Sequence, residues 1–280
     1  HDCRRRYFHD YKAVWCQAKN IEKGDVLLFP RFQNNIKDKR EFEISGFLRK
    51  SDYVLNNDKI FPRGSKITKL KNVIKIDASF CRLAGYYVSE GYTNGRDAIS
   101  FCFHENEGAY IEDVKKIMRD IFGISLSKMR TTKTAKGIEL IYYSKILFNL
   151  FKELFYVGFF DKKAHAKCLP SWMLDLPLEK QVEIVKGWWR GDVGYTSSRD
   201  LMNQMKIILL RLGIIPSIRV DTRESHETRG NHKFAGREIR ANYDNYHFSN
   251  LSFFEDRFNL LQDTSFKKFR TKLKRRHGWI

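Results

Sequence analysis

Acidic side chains are in deficit: 33 Asp and Glu face 52 Lys and Arg in 280 residues, a formal charge of +19. A chain so basic, which also carries 22 Phe, 13 Tyr and 5 Trp, points to a polyanionic partner. Paired cysteines are missing too. Cys3, Cys16, Cys81, Cys102 and Cys168 are odd in number and scattered, with no CxxC pair, which excludes a disulfide scaffold and a structural zinc site. His226 and His232 lie in a polar stretch with no cysteine nearby, so zinc is not expected there. No long apolar run occurs: the longest, residues 147–160, is broken by Lys152 and Glu153. The start of the chain lacks a signal-peptide layout, so an intracellular location, cytoplasmic in a prokaryote, is expected, without membrane insertion. With 42% apolar residues, global disorder is excluded, and the length suits two domains or one domain with an appended module.

Residues 1–76 alternate short apolar runs with turn signals, such as Gly24-Asp25 before residues 26–30 and Asn56-Asn57-Asp58 before residues 59–62. Short strands are predicted. From residue 77 the periods lengthen and one order of parts occurs twice, the mark of an internal duplication. LAGYYVSEG (residues 83–91) leads into alternating residues 98–103, then a helix with Ile111, Val114, Met118 and Ile121 on one face, stopped by Gly123. VKGWWRGDVG (residues 185–194) leads into a short connector, then a helix with Leu201, Met205, Ile208 and Leu212 before Gly213. The spacing of Ser197 and Asp200 suits the N-cap of that helix. The interval from Glu90 to Gly123 is longer than that from Asp192 to Gly213, so the second copy is expected to lack a hairpin. Basic strands follow in each copy, marked by Lys128, Arg130, Lys133 and Lys136 in the first and by Arg219, Arg223, Arg237 and Arg240 in the second. A basic closing segment carries Lys267, Lys268, Arg270, Lys274, Arg275 and Arg276, as a phosphate-binding tail or a solvated surface.

Inside each motif two small residues stand four apart and an acid follows: Gly85, Ser89, Glu90 and Gly187, Gly191, Asp192. Positions i and i+4 share a helix face, so each segment presents a notch for another backbone. Packed in parallel, the two helices bring Glu90 and Asp192 side by side at their C-termini, where the macrodipole is already negative. A hard divalent cation such as Mg²⁺, held by one or two carboxylates and substrate phosphate oxygens, answers that need and assists phosphodiester hydrolysis.

These motifs resemble the signature helices of the LAGLIDADG homing endonucleases, particularly the two-repeat monomeric type carried inside inteins, and residues 196–218 resemble the second-repeat continuation in archaeal intein endonucleases. The resemblance covers residues 77–280 and implies an α+β fold: a pseudo-twofold duplicated LAGLIDADG endonuclease fold, with parallel motif helices at the repeat interface, curved antiparallel DNA-binding sheets and a small β-rich N-terminal segment. It implies repeats at 77–165 and 166–280, with residues 1–76 as a splicing-domain remnant or a DNA-recognition extension. It gives Glu90 and Asp192 the role of catalytic metal ligands, with help from the carbonyls of Ser89 and Gly191, using Mg²⁺ with Mn²⁺ as a substitute. Val193 departs from the motif, which expects glycine directly after the second acid. Residues 166–170 (AKCLP) resemble a block whose lysine stands near the active centre, which makes Lys167 a catalytic candidate. Adding the offset between the motifs places its second-repeat counterpart near Lys267 or Lys268.

Residues 15–25 and Pro30 resemble the W-x-x-A and GD segments of a protein-splicing domain, but the chain has neither an amino-terminal Cys or Ser nor a terminal His-Asn pair, so self-splicing is not expected. The implied function is site-specific hydrolysis of double-stranded DNA, a double-strand break in a long asymmetric target made by a monomer. The competing reading is a non-cleaving LAGLIDADG-derived RNA maturase or DNA-binding regulator.

Overall fold

The computed structural model describes residues 14–23, 25, 36–64, 69–95, 97–132, 136–158, 163–228, 232–234, 237–239 and 243–249. Two compact units divide the chain at residues 33 and 34. In the first, a 3-10 turn at Ala18–Asn20 follows the exposed Val14 and Trp15, and the strand expected at residues 26–30 lies outside the described residues.

In the second unit, residues 36–76 form short strands and share a core with the repeats, so the expected boundary at residue 76 falls inside one compact body. Strand β1 (Glu41–Glu43) pairs with β5 (Val73–Lys75), while β2 (Tyr53–Asn56), β3 (Lys59–Pro62) and β4 (Leu70–Lys71) form a second antiparallel sheet. The β2–β3 turn is the one expected at Asn57, which takes up a left-handed conformation at φ 55°. Phe42 on β1 meets Phe80 of the first motif helix at 5.4 Å, which ties these strands to the duplicated body.

The first repeat opens with α1 (Ala78–Glu90), whose N-cap Asp77 accepts from Phe80 N at 2.9 Å. Strands β6 (Gly91–Asn94) and β7 (Ala98–His104) form a hairpin, α2 (Gly108–Ile117) ends through a π-turn stopped by Gly123 at φ 71°, and β8 (Lys128–Thr132) and β9 (Gly137–Tyr143) complete a sheet ordered β6-β7-β9-β8. Alternation sends Ile99, Phe101, Phe103, Leu140 and Tyr142 into the core and leaves Cys102, Glu139 and Arg130 aligned on the other face. Helix α3 (Lys145–Phe155), capped by Ser144, lays Phe151 and Phe155 against Tyr87 of α1 at 4.6 and 5.1 Å.

The second repeat follows with α4 (Leu178–Asp192), β10 (Tyr195–Thr196), α5 (Arg199–Arg211), β11 (Ser217–Asp221), α6 (Arg223–Thr228), the hairpin β12 (His232–Phe234) and β13 (Arg237–Ile239), and β14 (Asn245–Ser249). Its sheet is β10-β14-β11, and α5 follows β10 directly, so the hairpin expected to be missing is missing among the described residues. The N-cap of α5 is Ser198 rather than Ser197: Ser198 is the buried residue, and its hydroxyl accepts from Leu201 N at 3.1 Å.

Helices α1 and α4 pack in parallel and in direct backbone contact. A Cβ at Gly85 would lie 2.2 Å from Ile184 O and 2.7 Å from Trp188 N; one at Gly187 would lie 2.1 Å from Arg82 O and 2.7 Å from Tyr86 N. These contacts are reciprocal under exchange of the repeats, which makes the seam pseudo-twofold. Neither glycine has room for a methyl group, because its neighbour is main chain. Gly85→Ala and Gly187→Ala are each expected to destabilise the protein by more than about 3 kcal/mol in urea denaturation. Gly108→Ala, which meets nothing within 4 Å, should stay within about 1 kcal/mol of wild type, on the stabilising side.

Candidate active centre at the helix seam

The same contact continues to the helix ends. A Cβ at Gly191 would lie 2.3 Å from Ser89 Oγ and 2.8 Å from Glu90 Cγ, so the last turns of α1 and α4 meet as closely as their middles. Glu90 closes α1 and Asp192 closes α4, and both residues are part-buried. Beyond Asp192 the chain leaves α4 through Val193 at φ 51° and Gly194 at φ 87°. The left-handed region is costly for a β-branched residue, about 1–3 kcal/mol, so the departure from glycine noted at Val193 stores strain next to Asp192. The helix still ends at Asp192, with Val193 N donating to Trp189 O at 3.0 Å.

Lys167 arrives from the extended segment between the repeats. Its side chain is buried, 6% exposed, and its Nζ donates to Ser89 O at 3.0 Å. Ser89 O, expected as a metal ligand, therefore already accepts from an ammonium, leaving its second lone pair. The backbone of Lys167 pairs with Tyr156 in an antiparallel bridge.

Burial dominates the electrostatics, raising both acids and lowering the lysine. Glu90 is held well above the usual carboxylate range by burial first, then by Asp192 and Glu107, with Lys167 opposing. Asp192 is pushed up to about 6 by burial, against the pull of Lys167 and with the help of Glu107. Burial lowers the Lys167 ammonium, while Asp192 and Glu90 raise it. The carboxylates titrate as a pair. A crowded pair of this kind is short of positive charge, and its oxygen donors suit a hard divalent cation completed by water or phosphate oxygens. Among the described residues no three His, Cys, Asp or Glu side chains gather into a ready-made metal cage.

The expected DNA-contacting residues are spread over both sheets. Lys128 and Arg130 are exposed on β8, with Arg130 Nη1 3.7 Å from Glu139. Lys136, in the β8–β9 turn, pairs with Glu105 at 3.2 Å. Arg219 is exposed on β11, Arg223 opens α6, and the backbone of Arg237 belongs to β13. Lys133, Arg240, Lys267, Lys268, Arg270, Lys274, Arg275 and Arg276 lie outside the described residues.

Sequence reading missed Glu107, whose buried carboxylate accepts from His104 N at 2.7 Å and whose charge reaches both seam acids. It also missed an ionic network on one flank of the seam. Arg82 of α1 bonds Asp113 of α2 at 2.7 Å and the Glu183 carboxylate of α4, while buried Arg190 bonds Tyr86 Oη at 2.9 Å and lies 3.5 Å from Asp113.

The raised acids carry a stability signature. Because the folded pKa of Asp192 (about 6) exceeds the usual 3.8, the folded state binds the extra proton, so this residue's contribution falls as pH rises from 3.8 through 6. Asp192→Asn has no such window. Without divalent metal it is expected to be more stable than wild type by on the order of 1–3 kcal/mol at pH 8, a gain that vanishes near pH 4, in paired urea titrations.

Residues 193–250 match the family model of the LAGLIDADG-like domain. An uncharacterized protein of Methanocaldococcus jannaschii is 40% identical over 213 residues, covering 76% of this chain and 25% of that protein. The DNA polymerase II large subunit of Thermococcus kodakarensis is 25% identical over 226 residues, covering 71% of this chain and 12% of that subunit. The chain thus spans a quarter of the length of the first relative and less of the second. Among solved structures, I-DmoI in complex with its nicked target DNA in the presence of Mn aligns at TM-score 0.42 with 13% identity, over 68% of this chain and 98% of that one. The N-terminal LAGLIDADG domain of WhiA aligns at TM-score 0.41 with 9% identity, over 68% and 84%. A LAGLIDADG-like domain is thus matched within the second repeat, directly after the motif helix that joins its counterpart of the first repeat in one seam.

Proposed function

We propose that the protein is a site-specific, divalent-metal-dependent endonuclease that cuts both strands of a long asymmetric DNA duplex as a monomer, its repeats at 77–165 and 166–280 each engaging half of the target. The observation that carries this reading is the meeting of Glu90, Asp192 and Lys167 at the ends of two helices in backbone contact. A purely structural pair of carboxylates gains nothing from being crowded at two negative helix ends. Retention of both acids there is understandable if they serve a cation.

In this reading Glu90 and Asp192 would hold Mg²⁺, with Mn²⁺ as a substitute, assisted by backbone oxygens of Ser89 and Gly191. When bound, the ion supplies charge neutralisation at phosphorus and lowers the pKa of a coordinated water. The protein orients the strand and presents the two carboxylates together at the helix ends. Lys167, fixed by Ser89 O, holds its ammonium beside the reacting centre and stabilises negative charge developing on the phosphodiester. Lys268 is proposed as its second-repeat counterpart. Basic residues of the two sheets, Lys128, Arg130 and Arg219 among them, contact phosphates and base edges.

The test is incubation of the full chain with a randomised duplex library, with and without Mg²⁺, followed by sequencing of the ends produced. Discrete, metal-dependent double-strand ends are expected. Glu90→Gln and Asp192→Asn should each lower cleavage by about 10³-fold or more while retaining duplex binding; unchanged cleavage in both removes the metal role, and binding without any cutting favours a regulator. Because a metal must displace the proton held by the raised pair, the cleavage rate is expected to climb with pH through about 6 at limiting Mg²⁺. A rate that is flat across that range would contradict the assignment.

A further inference from the structure

Residues 166–169 leave a 3-10 turn as an extended segment shared between the two repeats, with one antiparallel bridge at Lys167. On one edge Val157 N donates to Ala166 O at 2.7 Å and Cys168 N donates to Phe155 O at 3.0 Å, which ties the segment to the end of α3. Alternation turns the next polar groups the other way. There the Ser198 hydroxyl donates to Lys167 O at 2.5 Å, and the Gln204 side-chain amide brackets Leu169, accepting from its N at 2.7 Å and donating to its O at 2.7 Å. Ser198 is fully buried. Its one hydroxyl performs two tasks, accepting from Leu201 N as the cap of α5 while donating to Lys167 O.

This geometry fixes Lys167 from both ends. Its ammonium is bonded to Ser89 O at the tip of α1, in the first repeat. Its own carbonyl is bonded to the cap of α5, in the second. A lysine side chain has four rotatable stem bonds and loses much freedom on being held, so its head stays on one carbonyl only if its root is immobile. The edge facing α3 is bonded by main chain and any sequence supplies it. The edge facing α5 depends on two particular side chains.

We infer that Ser198, acting with Gln204, is a positioning residue: through it the second repeat holds the Lys167 ammonium at the active centre of the first. The inference rests on the endonuclease reading for its kinetic consequence and on geometry alone for its structural one, and the two are tested separately.

The structural readout is competitive acylation of the lysines in the full chain, without DNA or metal, followed by mass spectrometry of the peptide containing Lys167. In the wild type Lys167 should be labelled far more slowly than the exposed Lys128. Ser198→Ala and Gln204→Leu should each raise the Lys167 rate about ten-fold or more, in keeping with local opening, and leave Lys128 unchanged. Ser198→Thr, which retains a hydroxyl able to cap and to donate, should restore slow labelling. The kinetic readout is cleavage of duplex substrate. Both disruptive variants should lose about ten- to a hundredfold in kcat, with KM nearly unchanged, and Ser198→Thr should recover most of the loss.

Gln204→Leu leaves the cap of α5 in place, so it decides the matter by the same labelling if Ser198→Ala fails to fold. Unchanged Lys167 labelling in folded variants overturns the inference, as does a fall in kcat that Ser198→Thr does not repair. Wild-type protein that cuts no DNA, yet shows the labelling pattern, refutes the endonuclease reading and leaves the positioning device standing.

Discussion

Two glycine backbones in contact are the constraint on which this molecule is built. With Gly85 against Ile184 O and Gly187 against Arg82 O, no side chain separates α1 from α4 along the middle of the seam, and their spacing is set by main-chain atoms. Close backbone approach of that kind admits one register, because a shift by a residue would drive a Cβ into a carbonyl. Once the register is fixed, the helices end together. Glu90 and Asp192 then face each other whatever the cost, and each later feature of the centre answers that cost.

The cost is electrostatic. Both acids sit at negative helix ends and are raised by burial and by Glu107, and Asp192 raises Glu90 further. Among the described residues Lys167 is the cation that acts on both acids, and it is itself weakened by burial. One partly suppressed ammonium does not neutralise two carboxylates and the charge of Glu107. The deficit is what a divalent ion and the phosphates of a substrate strand are suited to share, so stability lost here is the counterpart of affinity for a cation.

Features that depend on short-range pattern were legible in the sequence. The motif helices, their small-residue notches, the lost hairpin of the second copy and the strands of the first-repeat sheet follow from spacing. Residues that act across the fold were not legible. Ser198 reads as one of several capping hydroxyls, and nothing local says that its proton reaches a carbonyl from another segment. Spacing to Asp200 favours Ser197 as the cap, one residue early, whereas the buried Ser198 is the one that accepts from Leu201 N. Glu107 and Asp113 carry no local signal, and only packing shows that the charge of one reaches the seam acids and that the other pairs with two arginines.

The two flanks of the seam have diverged although its centre has not. On the flank facing α2, Arg82, Glu183, Asp113, Tyr86 and Arg190 are linked by hydrogen bonds and ion pairs. On the flank facing the second sheet, the position equivalent to Tyr86 is Trp188, which packs edge-on against Phe248 at 5.7 Å. An apolar flank contributes burial but tolerates sliding, whereas a network of directed bonds tolerates neither a turn of slippage nor a missing partner. Arg82 and Glu183 join the helices near the same level as the glycine notch, so a slip that relieved the backbone contact would also break that ion pair. Register is thus specified twice by unrelated forces, steric at the glycines and electrostatic beside them. This matters most at the far end of the helices, where a displacement of a single turn, about 5.4 Å, would carry Glu90 away from Asp192 and leave Lys167 with one acid in place of two.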